Sequence, residues 1–277
     1  MIAPDAMTLT IRFLSLTVLL CLAYNQTPAQ TPDTLRLLQT LPVKATFAAT
    51  DNLSNVYLIT PENAIEKYAP DGRRLARYSN NRLGQAARLD VSNPLKVLVW
   101  YADFRVALFL DRSLTELGNL NLITAGYPEV RVVASAQDGN MWLYDEVNFR
   151  LVKITPEGEK RYESQSMNLL ESTPSRPTCL RESNDRVYLA DSTQGVFVFD
   201  LFAQFDRLLV PQHPVTDFQI VDNQIHYLAD GNIIAEHLQV RASREVAIPA
   251  EILKEKTALL SGGRLVIWGE AVKVWGY

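Results

Sequence analysis

Six carboxylates stand just after six apolar runs of the chain: Glu62, Asp103, Asp145, Asp191, Asp230 and Glu270. Gathered on one surface, they would attract a cation or a basic segment of a partner. The same residues suit tight turns, where an Asp side chain accepts hydrogen bonds from nearby backbone amides. Between them lie polar stretches carrying Arg82, Arg88, Tyr127, Arg176 and His213, so the surface they share is mixed in charge. Trp100, Tyr101 and Tyr144 sit at the ends of the apolar runs, where an aromatic ring serves either a core or a ligand platform. No nucleophile-elbow motif and no phosphate-cradling glycine loop opening a helix accompanies them, so no catalytic residue is expected. His213, His226 and His237 lack metal-ligand spacing, and neither a metal nor another cofactor is expected.

The elements that must position these residues repeat. Asn55-Val-Tyr-Leu-Ile-Thr60, Lys96-Val-Leu-Val-Trp-Tyr101, Asn140-Met-Trp-Leu-Tyr-Asp145, Arg186-Val-Tyr-Leu-Ala-Asp191, His226-Tyr-Leu-Ala-Asp230 and Arg264-Leu-Val-Ile-Trp268 align as copies of one strand. They start near positions 55, 96, 140, 186, 225 and 264, a period of about 40 residues. Each is apolar on both faces, which suits a strand covered from both sides. A strand of smaller residues precedes it, such as Ala45–Thr50 or Val130–Ser135. An alternating strand, a turn such as Pro70-Asp-Gly72 and a polar strand such as Arg73–Tyr78 follow. That is a four-stranded propeller blade. The last copy lacks its outer strand, and Thr34–Leu41 is left over at the other end. Joining them closes the ring and removes an open edge. The fold expected is all-β, a six-bladed β-propeller closed by an N-terminal strand in the last blade. Short helical turns are expected only at Asn168–Glu171 and Pro249–Lys254.

Asp138-Gly-Asn-Met-Trp-Leu-Tyr-Asp145, with Asn148–Ile154 and Gly158, resembles the repeat of NHL-type six-bladed propellers. Val187–Asp191 with Gly195–Asp200 is similar. The whole chain also resembles a family of exported propellers from Gram-negative bacteria, through Thr50–Leu58, Tyr78-Ser-Asn-Asn81 and Asn93–Leu98. Neither resemblance implies a reaction, because propellers host many functions. Lactonase-type propellers hold a metal in the axial channel with Glu, Asn and Asp. By that likeness Asn52, Asp90 and Asp217 are the residues a rival, hydrolytic reading would use.

The N-terminus is of another kind. Arg12 precedes the apolar run Phe13–Ala23, too short to span a bilayer as a helix but suited to a secretory signal. The expectation is a signal peptide over 1–30, a single propeller over 31–277 and export to the periplasm or outer envelope. Cys21 could carry a lipid anchor, although Leu20 stands where a small residue is needed. Cleavage leaves Cys179 as the sole thiol, so no disulfide forms and packing alone must stabilise the fold. Cys179 falls on an inner strand, as an inert buried thiol. A net charge of -4 and a pI near 5.5 argue against nucleic acid. These readings combine into a monomeric, non-catalytic propeller without a membrane span in its mature chain. It would bind a protein partner in the cell envelope through a face bearing Glu62, Arg82, Trp100, Asp103, Tyr127, Asp145, Arg176, Asp191, Asp230 and Glu270. A small-molecule or glycan binder on the same face is the other alternative.

Overall fold

The apolar runs of the repeat become strands Val56–Ile59, Lys96–Tyr101, Met141–Asp145, Arg186–Asp191, Gln224–Ala229 and Arg264–Trp268. Each is the second strand of a four-stranded antiparallel sheet, and the six sheets form the blades, I to VI, of a ring. The computed structural model describes residues 35–170, 173–254 and 257–277. The expected signal peptide and Thr34 lie outside the described residues. Strands Phe47–Thr50, Arg88–Asp90, Val130–Ser135, Pro177–Ser183, Phe218–Val221 and Thr257–Ser261 come first in each blade and line the axis.

The apolar-on-both-faces pattern has a direct structural cause. Along Met141–Asp145, Met141 and Leu143 pack toward blade II with Leu98 and Trp100. Trp142 and Tyr144 point the other way, onto Leu189, Phe197 and Phe199 of blade IV. Alternate side chains of one strand thus fill two inter-blade cores, so no position on it can be polar without a partner. Removing a ring such as Trp142, fully buried, would cost about 3–5 kcal/mol.

Closure follows the expected route. Arg36–Leu41 pairs antiparallel with Val272–Gly276, Leu37 opposite Trp275 and Leu41 opposite Val272. The first and last blades also meet at the axis. Thr50 Oγ1 donates to the Ser261 carbonyl at 2.6 Å, and Ser261 Oγ donates to the Thr50 carbonyl at 2.9 Å. The chain then turns through Gly262 at φ +56°, where a Cβ would lie 2.8 Å from the carbonyl oxygens of Thr50 and Asp51. Only glycine fits that approach. Outside the sheets, Met167–Leu169 forms a 3₁₀ turn and Ala250–Leu253 a short α-helix. Ala250–Leu253 falls in an expected segment and Met167–Leu169 overlaps the other, whereas a further 3₁₀ turn at Asn81–Leu83, capped by the Asn80 side chain, was not expected. Among the described residues no helix is long and apolar enough to cross a membrane.

Candidate functional site

Antiparallel meander connectivity sorts the loops into two faces. Turns from second to third strand share the upper face with the connections from each outer strand to the next inner strand. Turns from first to second strand and from third to fourth form the lower face. Trp100 lies near the upper end of its strand, and the other nine residues expected on the partner-binding face lie at the upper face, but their environments differ sharply.

Asp145 and Asp191 are buried. Asp145 accepts from the amides of Val147 and Asn148 and from Asn148 Nδ2 at 2.7 Å. One oxygen of Asp191 accepts from the Thr193 amide and hydroxyl and the Gln194 amide. The other accepts from the amides of Ser175 and Arg176. Burial alone would push the Asp191 carboxyl up, but the Thr193 hydroxyl and the amides of Arg176, Thr193 and Ser175 outweigh it and hold it below its ordinary value. Asp191 therefore ties the inner end of a long loop to the strand that carries it.

The other four carboxylates are exposed. Glu62 is held below its usual range by its own backbone amide and the Thr60 hydroxyl. Asp230 lies 3.1 Å from His213 Nδ1 and Glu270 lies 2.5 Å from Lys44 Nζ, both on the rim. Asp103 and Arg82 face solvent, and Arg176 is exposed above the channel mouth. Tyr127 is half-buried against the cluster that contains Trp100. Tyr101 and Tyr144 are wholly buried core residues, whereas Trp100 both packs in the core and lines the channel.

The axis holds what spacing in the sequence could not show. Asp217, from the connection entering blade V, accepts from Arg88 Nη1 at 2.7 Å and from Arg181 Nη2 at 2.9 Å. Cys179 Sγ lies 3.5 Å from the same carboxylate. Burial would raise Asp217, but Arg181 and then Arg88 override it and hold it below its usual range. Two cavities lie along the axis. An upper one of about 610 Å³ includes Arg88, Trp100, Arg131, Arg176 and Arg181 in its wall. A lower one of about 590 Å³ is lined by small polar residues such as Thr50, Ser135, Ser183 and Gln219, and Asp90 and Arg181 border both.

The groups with chemical potential are largely engaged. Both oxygens of Asp217 serve guanidinium groups, and Asp90 accepts from the amides of Ser92 and Ser135. Asn52 belongs to the lower cavity, so the three residues of the hydrolytic reading are held in separate roles. Among the described residues no group of three or more His, Cys, Asp or Glu side chains is placed to hold a metal ion. Cys179 sits on an inner strand as expected, and burial, reinforced by Asp217, pushes its thiol up to about 11. A thiol so protonated is a poor nucleophile at neutral pH. His226 contacts the Tyr277 hydroxyl at 3.0 Å and Gln224 at 3.2 Å, and burial lowers its pKa.

No protein-family model matches the chain, and no curated protein matches it. Solved structures do resemble it. Virginiamycin B lyase from Staphylococcus aureus superposes with a TM-score of 0.61 at 11% identity, over 88% of this chain and 100% of that one. A streptogramin B lyase gives 0.60 at 10% identity, over 88% and 97%. The Pan2 WD40 domain of Neurospora crassa gives 0.57 at 10%, over 87% and 95%. At these identities the likeness is one of fold, shared by a lyase and a WD40 domain alike. It does not single out the NHL type, nor does it bear on the exported Gram-negative family.

Proposed function

We propose that this propeller is an exported, non-catalytic module of the cell envelope that binds a protein partner on its upper face. The observation that carries this reading is the concentration of long irregular chain on that face. Residues 80–87, 122–129, 164–170 with 173–176, 210–217 and 248–254 all lie there, while the lower face has only short turns. Loops on a rigid β scaffold vary without cost to the core, which is what recognition requires. These loops and the adjoining turns expose Phe104, Ile123, Val147, Leu169 and Val210 beside Arg82 and Arg176. Exposed apolar side chains with arginine on the same face match the composition of protein-binding hot spots. Arg12 and the run Phe13–Ala23 support export.

The test is capture from envelope extract by the immobilised propeller. Phe104→Asp with Val147→Asp should abolish recovery of a specific protein, a loss of about 2 kcal/mol or more, with melting unchanged. Leu53→Asp with Leu95→Asp, on the lower face, should leave recovery intact. Loss through the lower-face pair, or no specific protein retained by the wild type, would overturn the proposal. For export, the full chain in a Gram-negative host should reach the periplasm cleaved between Ala23 and Gln30. An uncleaved cytoplasmic product would refute it.

A further inference from the structure

We propose that the upper axial cavity is a binding site for a monocarboxylate with an apolar body. The inference goes beyond docking on the rim and stands whether or not a protein binds there. Its volume, about 610 Å³, is in the range that encloses a small molecule. The chemistry of the wall is divided in a way that matches such a ligand. Leu98, Trp100, Val132 and Leu180 supply an apolar side, and the guanidinium groups of Arg88, Arg131, Arg176 and Arg181 supply the polar one.

The arginines of this wall differ in how they are paired. Arg88 and Arg181 share the single carboxylate of Asp217. Arg131 pairs with Glu146 at 3.3 Å. Asp90, the remaining carboxylate, is turned to the backbone amides of Ser92 and Ser135. Arg176 has no ion pair among the described residues, and only its backbone amide is engaged, by Asp191. Arg176 is therefore the arginine of this wall without an ion pair, and a single carboxylate is the counter-ion that one guanidinium group suits. A planar carboxylate also matches the donor fork of a guanidinium group.

Arg181 Nε and Trp100 Nε1 are buried and have no hydrogen-bond partner among the described residues. Both nitrogens are closed off from the cavity, so the donors open to a ligand are the terminal nitrogens of the arginines and not these two. Trp100 provides a ring against which an apolar body can lie.

N-acetylphenylalanine and its neutral amide serve as probes, followed by calorimetry and by the fluorescence of Trp100. The carboxylate should bind the propeller about tenfold or more tightly than the amide, because one charge-assisted contact separates them. Arg176→Gln, an exposed change that keeps the fold, should remove most of that preference, and Arg176→Lys should restore part of it. Trp100→Phe should remove the fluorescence change while calorimetry still detects binding. A decapeptide ending in phenylalanine with a free carboxylate separates the two sources of the group. Binding of both probes supports the site with a chain terminus as ligand, and binding of the single amino acid alone supports it with a free small molecule. Equal affinity for acid and amide, no binding of the acid up to about 10 mM, or an unchanged preference in Arg176→Gln would each overturn the proposal. The Phe104→Asp, Val147→Asp variant should titrate like the wild type, so failure of rim docking leaves this result readable.

Discussion

Blades III and IV treat their turn carboxylates differently from the other four blades. Asp145 and Asp191 end their strands and are buried; both accept from the amides of the turn that follows, and Asp191 also from those of Ser175 and Arg176. Glu62, Asp103, Asp230 and Glu270 occupy the corresponding turns of blades I, II, V and VI and remain in water. The same turn thus holds two kinds of group, according to whether the carboxylate ends the strand, as Asp145 and Asp191 do, or stands beyond it. A carboxylate that accepts several amides in a buried turn is part of the backbone's hydrogen-bond network. A carboxylate on the rim is free to meet a partner and contributes little to stability.

The contrast is sharpest at the axial carboxylate Asp217, held by two guanidinium groups rather than by turn amides. Asp217→Ala should leave Arg88 and Arg181 without their shared acceptor and destabilise the fold by about 3 kcal/mol. That is the low end for a broken buried pair, because Arg88 is 43% exposed. Chemical denaturation would measure it, and a loss below about 1 kcal/mol would show the cluster to be solvated in effect. Asp191→Asn comes next. It keeps one acceptor oxygen and forfeits the charge, so about 2 kcal/mol should be lost, with the loop ending at Arg176 becoming protease-sensitive. An unchanged digestion pattern would separate that loop from the turn.

Acid should bring out the same difference. Asp191 and Asp217 titrate below their unfolded values in the folded state. Their stabilisation is present above the unfolded pKa, about 3.9, and is lost as pH falls through the lower folded values. Wild-type stability should therefore drop between about pH 4 and pH 2, and Asp191→Asn should show a shallower drop because one of the groups is gone. A slope unaffected by the substitution would assign the acid sensitivity elsewhere. The smallest effect belongs to the rim. Glu270→Gln and Asp103→Asn should each change stability by less than about 0.5 kcal/mol, since exposed charges are screened. A larger loss would class those groups with Asp145 and Asp191.

The legible part of this molecule was its periodic part. Strands whose side chains are buried on both faces must be apolar throughout, so each blade's second strand stands out from its neighbours in composition alone. The missing outer strand of the last copy and the spare strand at Arg36–Leu41 identified each other by the same logic, because an unpaired edge is costly. The upper-face position of the carboxylates followed from blade symmetry.

What the sequence by itself determined, then, was the blade, its number and its closure, since these depend on local strand chemistry repeated at a fixed period. Tertiary structure decided the rest. Asp191 also holds the amides of Ser175 and Arg176, in the loop that enters its own blade, and the sequence around Asp191 does not contain that loop's path. The axial cluster depends on tertiary structure still more. Arg88, Arg181 and Asp217 come from three segments, and no spacing along the chain reports their approach. They meet because closing the ring brings the inner ends of all six blades to one axis, where long side chains from distant repeats must either pair or remain charged against a cavity.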